Sequence, residues 1–416
     1  MADEDYSPAT TPSGSPLAGL EISIADAEKR KKSGEILSDP FIAYNIISKS
    51  KQNVPGFGSS EYYVWRRYSE FELLRNYLYM QYPTVVLPPM PPKRGNAGWT
   101  KIVDHFDPEF IEVRRVALQS FLRRAAQHPQ LAADETFHAF LQQEAWSTSS
   151  AQLADRVEEK MKQLSASLKL KTQDNRFLDV KNYADNLNAN LSALVKVQER
   201  LSKNMADMYE SYGQTGPVFS DWAVIEKDIG DVLQSTGHFM DSLAPSVNEK
   251  LHAEEDQFTA VLREYTLFGD SLRTLVKRQE QKQYDLEKAE DSLASKVSSL
   301  EQLQGVTATG EPAPAGGKFS FKKISSKMFG PDTPEVREEK IRALEQQIEE
   351  GKGQVQIAQQ ELSTFCEDAL RDVERFHKTK VADFKRVLVQ YAKTQISFYK
   401  KGLQSWENMR TVVNGM

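Results

Sequence analysis

Trp65-Arg66-Arg67-Tyr68-Ser69-Glu70-Phe71, followed after a helix-length gap by Leu87-Pro88-Pro89-Met90-Pro91-Pro92-Lys93, is the stretch on which the reading of this chain turns. Tyr62, Tyr63, Val64 and Trp65 are strand formers, and Ser69 with Glu72 has the spacing of a capping box that opens a helix. A strand therefore delivers two arginines and a tyrosine to a helix N-terminus. Guanidinium donors, free backbone N–H groups and the helix dipole add at such a corner, which makes an anion site best suited to a phosphate. Read from Arg66-Arg67 alone, an exposed corner with solvated arginines fits as well. The proline run is extended, since each ring fixes φ and removes a donor, and it carries Lys93 and Arg94 back across the front of the sheet.

Outward from this stretch, short strands are expected over Leu20 to Ile24, Phe41 to Ser48 and Tyr62 to Tyr68, separated by Lys-rich and Gly-containing turns, which suggests an antiparallel meander. The helix after Ser69 places Phe71, Leu74 and Leu78 on one face to cover it. Asp107-Pro108 is a helix start, an N-cap followed by proline at the first helical position. The helix it opens turns Phe110, Val113, Ala117, Phe121 and Ala125 inward and carries Arg114 and Arg115 near its middle. A short helix from Asp134 with Phe137, Phe140 and Leu141 completes an α+β unit over residues 19–146. Residues 1–18, rich in Ser, Thr, Pro and acid without periodic apolar positions, are expected to be a disordered tail.

Beyond residue 146 strand signals fade. Residues 147–170 form a linker whose amphipathic part (Leu153, Val157, Met161, Leu164, Leu168) is either a membrane-lying helix or a hinge that packs on its neighbours. Apolar residues then recur at 3–4 spacing in three runs, giving helices over about 171–212, 217–302 and 334–412, with Gly213 to Pro217 expected to break the first from the second. Three such helices with one seam each fold back into an elongated antiparallel coiled coil. The seams hold more aromatics than a tight pair accepts, among them Phe376, Phe384, Phe398 and Trp406, so pairing with a second copy or a relative is expected to absorb them. In the connection 305–333, Lys318, Lys322, Lys323 and Lys327 interleave with Phe319, Phe321, Ile324, Met328 and Phe329. That mixture resembles a membrane-surface segment, against the alternative of a linker with incidental lysines.

Composition narrows the function class. With 53 Lys and Arg against 59 Asp and Glu, the 416-residue chain has a net charge of -6, the wrong sign for a nucleic-acid binder. Cys366 is the only cysteine, so neither a disulfide framework nor a Cys-based zinc site forms within one chain; in the third seam it reads as a small core residue. No run approaches the ~18 apolar residues of a membrane span, and the N-terminus lacks the basic-then-apolar order of a signal peptide, so a cytosolic protein in peripheral membrane contact is expected. The six histidines are scattered, with no Gly-rich phosphate loop, paired-acid or nucleophile motif beside them. An enzyme is not expected, nor is a cofactor or metal.

The order of features up to Lys93 and Arg114 resembles a phox-homology (PX) domain, and the three long helices resemble a Bin/amphiphysin/Rvs (BAR) domain. Together they are similar to the membrane-bending sorting nexins, with Tyr183-Ala184-Asp185, Ser220-Asp221-Trp222 and Ile225-Glu226-Lys227 as further points of likeness. The resemblance implies that Arg67 grips the 3-phosphate of phosphatidylinositol 3-phosphate, Tyr68 packs beneath the inositol ring and Ser69 sits at the phosphate-facing helix start. By the same likeness Lys93 meets the 1-phosphate and Arg114, or its neighbour Arg115, holds ring hydroxyls. Arg66 should face the other way, since side chains alternate along a strand. The implied protein is a non-enzymatic adaptor on the cytosolic face of endosomes. It would dimerise with itself or another PX-BAR sorting nexin, bind or tubulate curved membranes, and recycle cargo proteins, with a part in autophagy-related trafficking. A coiled-coil scaffold that touches only proteins is the alternative.

Overall fold

The computed structural model describes residues 17, 19–31, 40–50, 54, 56–58, 61–93, 106–144, 146, 169–309 and 334–415. The basic connection with Lys318, Lys322, Lys323 and Lys327, and the amphipathic run within 147–168, lie outside them.

Strands β1 (Leu20–Arg30), β2 (Phe41–Ser50) and β3 (Glu61–Arg67) form an antiparallel sheet in chain order, with Ile24 opposite Ile46 and Ile46 opposite Val64. The pleat turns Ile22, Ile24, Tyr44, Ile46 and Val64 onto one buried face. Helix α1 (Tyr68–Gln81) covers it with Phe71, Leu74 and Leu78, and α2 (Pro108–Gln127) and α3 (Glu135–Gln142) add Leu118, Phe121, Leu122, Phe137 and Phe140 to the same core. Both acidic caps form: Asp107 accepts from the Glu109 and Phe110 N–H groups at 2.9 and 3.2 Å, and Asp134 from Phe137 N–H at 2.8 Å. Leu17, which composition places in the N-terminal tail, is fully buried in this core. One edge of β1 faces α2, whose side chains serve its backbone. Gln119 Oε1 accepts from Ile24 N–H at 2.8 Å, Arg123 donates to Ile22 O at 2.7 Å, and Arg115 donates to Ile24 O. An edge satisfied this way is closed to a further strand.

The helical half differs from expectation at its first turn. Helix α4 (Asn175–Ile225) runs straight through Gly213 and Pro217, and the chain reverses only at residues 226–229 before α5 (Gly230–Glu254). The glycines serve packing instead of ending the helix. A Cβ on Gly216 would lie 3.0 Å from Gly237 O, and one on Gly237 would lie 2.7 Å from Gly216 O, so α4 and α5 cross here in near backbone contact. Proline at 217 forfeits one hydrogen bond, to the Gly213 carbonyl, and the helix continues through it. One π turn, Glu255–Thr259, joins α5 to α6 (Ala260–Thr309) as one rod, and α7 (Pro334–Asn414) returns along it.

The seams that sequence assigned to a dimer are largely used within one chain. Phe376 and Phe398 are buried, and Phe384 packs against the core with Tyr265 at 5.1 Å between ring centroids. A bundle of three long helices is wider than a two-stranded seam, which is why it accommodates the rings. Cys366 lies buried among them, and burial raises its thiol pKa, as expected of a packing residue. Within this core Lys250 and Glu254 pair at 2.9 Å, and Gln198 Nε2 donates to Glu254 at 3.1 Å. The ion pair lies within α5, and the Gln198 bond is the part that ties α4 to α5.

The two halves share a charged interface. Arg124 of α2 donates to Glu264 of α6 at 2.5 and 2.7 Å and reaches Asp383 of α7 at 2.8 Å. Burial opposes its charge, but Glu264 and Asp383 outweigh that and raise its pKa. Arg278 of α6 lies 3.4 Å from the centre of the Tyr79 ring and donates to Tyr79 O. His128 Nδ1 accepts from Gln130 N–H at 3.2 Å, so its Nε2 carries the proton toward Asp372 Oδ1 at 3.2 Å. Burial, with the nearby Arg375, lowers the His128 pKa from 6.5 to about 3.

A histidine held neutral in the fold and free to protonate when unfolded stabilises fully above pH 6.5, and that contribution falls as pH drops toward 3. Between pH 7 and 5 the wild type should therefore lose up to about 2 kcal/mol more than His128→Gln, measured as urea unfolding at both values. An identical pH response in the two proteins would mean that His128 protonates in the fold as readily as in the unfolded chain.

Candidate anion-binding site

Strand β3 runs into α1 without a loop, so the N-cap is Arg67. Glu70 accepts from Arg67 N–H at 2.8 Å, closing the back-bonding half of a capping box two residues earlier than the Ser69 and Glu72 pair expected from sequence. Glu72 is thereby free for Lys93, whose Nζ lies 3.3 Å from its carboxylate.

Alternation along β3 separates the two arginines. Arg66 is 1% exposed and points into the first domain, where its guanidinium donates to Phe140 O at 2.9 and 3.1 Å, Trp65 O at 3.0 Å, Glu144 O at 3.3 Å and Gln143 O. It caps the C-terminal carbonyls of α3, and burial lowers its pKa to about 10. Arg67 points outward. Among the described residues it has no carboxylate partner, and its guanidinium carbon lies 5.9 Å from the centre of the Phe41 ring.

Tyr68, Lys93 and Arg114 are drawn together by the proline run. The Tyr68 hydroxyl donates to Pro91 O at 2.7 Å, and Arg114 donates to Pro92 O at 3.2 Å and to Lys93 O at 2.8 Å. The Arg114 guanidinium carbon lies 4.5 Å from the centre of the Tyr68 ring and 4.2 Å from that of Phe110. Burial raises the Tyr68 pKa to about 12, so its ring stays neutral, and burial lowers that of Arg114. Ser69 is exposed in the first turn of α1. Arg115 is not in this group: it pairs with Glu112 at 2.6 Å and holds the β1 edge. The resulting wall has an aromatic floor, an uncommitted guanidinium, a lysine on a movable surface pair and a helix start. It can receive a phosphate ester with an adjoining hydroxylated ring. Sequence reasoning missed Glu72 as the Lys93 partner; its place one turn beyond the N-cap was the available signal.

Residues 54–144 match the PX domain family and residues 322–412 match the family described as Vps5 C terminal like. Over 405 residues, covering 96% of this chain and 88% of each relative, the chain is 40% identical to sorting nexin-4 of Mus musculus and of Homo sapiens. The chain belongs to the sorting nexin family. Sorting nexin-30 of Mus musculus is 28% identical over 374 residues, 89% of this chain and 74% of that one. Among solved structures, the cryo-EM structure of the SNX-BAR Mvp1 tetramer shares the fold, with a TM-score of 0.61 at 17% identity over 93% of this chain and 99% of that one. This sorting nexin thus joins a PX domain to a BAR-type helical domain and is a non-enzymatic protein of membrane trafficking. Among the described residues no helix is long and apolar enough to cross a membrane.

The two arginines should separate in a stability measurement. Arg66→Ala leaves several buried carbonyls without a donor and should cost at least about 3 kcal/mol of PX-domain stability, whereas Arg67→Ala should change it by no more than about 0.5 kcal/mol. Chemical denaturation followed by tryptophan fluorescence checks this, Trp146 being in the domain's core.

Proposed function

We propose that this sorting nexin reads phosphatidylinositol 3-phosphate on the cytosolic face of endosomes, dimerises through its helical domain, and binds or tubulates curved membrane during cargo recycling and autophagy-related trafficking. The observation that carries the reading is Arg67, an outward guanidinium without a carboxylate partner among the described residues, at a helix start and one residue before Tyr68, which with Arg114 meets the proline run that ends in Lys93. In this reading Arg67 takes the 3-phosphate, the Tyr68 ring supports the inositol, and Ser69 adds a donor at the helix start. Lys93 leaves Glu72 for the 1-phosphate, and Arg114, whose Nη2 is held by the Pro92 and Lys93 carbonyls, offers its remaining edge to ring hydroxyls. The first test is co-sedimentation with liposomes containing phosphatidylinositol 3-phosphate. Arg67→Ala should lose about 1.5 to 3 kcal/mol of binding, and parent protein that stays in the supernatant would leave the protein-only scaffold as the better account.

Dimerisation is supported by apolar side chains that the single chain leaves in water. On α7, Ile396, Tyr399, Leu403 and Trp406 recur at 3, 4 and 3 residues and are each about half exposed or more; on α4, Leu194, Val197, Leu201 and Met208 recur at 3, 4 and 7 residues and are also exposed. The partner is a second copy or another PX-BAR sorting nexin. Light scattering should give twice the chain mass, alone or with such a partner, and Tyr399→Glu with Leu403→Glu should reduce it to one chain. A parent protein that is monomeric under both conditions would refute the pairing.

Lys318, Lys322, Lys323 and Lys327, each adding about 1 kcal/mol of attraction to an anionic leaflet, are proposed as a second membrane contact. Replacing all four by Ser should weaken binding to mixed anionic liposomes and flatten its salt dependence, with headgroup specificity unchanged. Unaltered binding across a salt series would make that segment a passive linker.

A further inference from the structure

The proline run that ends in Lys93 begins on the helical domain. Val86 N–H donates to Asp372 Oδ2 of α7 at 2.7 Å in a buried setting. In an extended chain neighbouring side chains face opposite ways, and here Val85 and Leu87 belong to the PX core while Val86 belongs to the core of the helical domain. The next residues are Pro88, Pro89, Met90, Pro91 and Pro92, whose carbonyls at 91 and 92 accept from Tyr68 and Arg114. At ~3.1 Å per residue the span from Val86 to Lys93 is roughly 22 Å of stiff polyproline-like chain. A flexible loop would absorb a displacement at one end. This segment passes it to the other.

We propose that Asp372 is a positioning residue for the headgroup pocket: by anchoring Val86 to α7, it sets through the proline strap where Pro91, Pro92 and Lys93 stand against Tyr68 and Arg114. The pocket's geometry is then coupled to the helical bundle, and a change in the bundle is felt at the lipid. Asp372 is suited to this because it is held from three sides, by Val86 N–H, by His128 Nε2 at 3.2 Å and by Arg375. The inference rests on the reading of the pocket as a phosphoinositide site.

The test uses the full chain and a soluble, short-chain phosphatidylinositol 3-phosphate, so that neither dimer avidity nor the basic connection contributes. The parent should bind and Arg67→Ala should not; a parent that fails to bind overturns the pocket reading and this inference with it. Given that binding, Asp372→Ala should weaken it roughly 2- to 30-fold, the range of coupling through a packed network. Asp372→Asn, which keeps an acceptor oxygen for Val86 N–H, should restore most of the loss, as a general loosening of the fold would not. By reciprocity, headgroup binding to the unmodified chain should slow hydrogen exchange at the Val86 amide, a readout that holds even if the alanine variant does not fold. Parent-like affinity in a folded Asp372→Ala protein, or a Val86 amide whose exchange is indifferent to the headgroup, would overturn the proposal.

Discussion

Arg124, taken out of water between Glu264 of one long helix and Asp383 of another, is the contact on which the arrangement of this protein depends. Desolvating three charges costs several kcal/mol per ion, and their attraction recovers this only where the geometry is good. Such a triad is therefore poor glue and a strict gauge. A PX domain rotated or shifted on the bundle would leave a buried charge unpaired, whereas an apolar contact of the same area would tolerate the slip. Tyr265, which donates to Asp383 at 2.7 Å, and Ser120, which donates to Glu264, tighten the gauge further. The orientation of the candidate anion site relative to the helical rod follows from it.

Much of the site was legible in the sequence because strand alternation is strict. The rule that Arg66 and Arg67 face opposite ways needs only the period of two, and the burial of one and exposure of the other follow it. What Arg66 does was not legible. Apart from the neighbouring Trp65 carbonyl, its acceptors lie at and just beyond the end of α3, more than seventy residues away, and no local pattern announces that a helix end will be capped by a strand side chain. The capping box failed for a related reason. Ser69 with Glu72 and Arg67 with Glu70 have the same spacing, and a strand that enters the helix without a loop selects the earlier pair. The choice between Arg114 and Arg115 likewise required the sheet edge, because what removes Arg115 is the free carbonyl of Ile24.

The helices tell a similar story about where propensity yields to packing. Gly213 to Pro217 reads as a break by every local rule, yet α4 continues because close approach to α5 at Gly216 and Gly237 outweighs one lost hydrogen bond. The aromatic surplus of α7 was visible, and its use was not. Phe376 sits 5.2 Å from Phe268 between ring centroids, inside the chain's own core, and of the four aromatics only Trp406 stays in the apolar stripe left in water, beside Ile396, Tyr399 and Leu403. Periodicity finds a face; it does not say which neighbour will cover it.

A lipid-reading dimer gains from this rigidity. If two heads were joined by loose linkers, the second binding event would see an effective concentration that falls as the linkers lengthen. Here the PX domain is fixed to the bundle by Arg124, Arg278 and Asp372, so in the proposed dimer the separation of the two pockets is set by the helices and not by the reach of a chain. On that proposal each site need bind only weakly for the pair to hold a membrane, and the Lys93–Glu72 pair is what a phosphate would have to displace. In the proposed dimer the same fixity would make the assembly selective, because a rod with two heads at a set distance and tilt engages both only on a surface whose curvature brings both headgroups within reach.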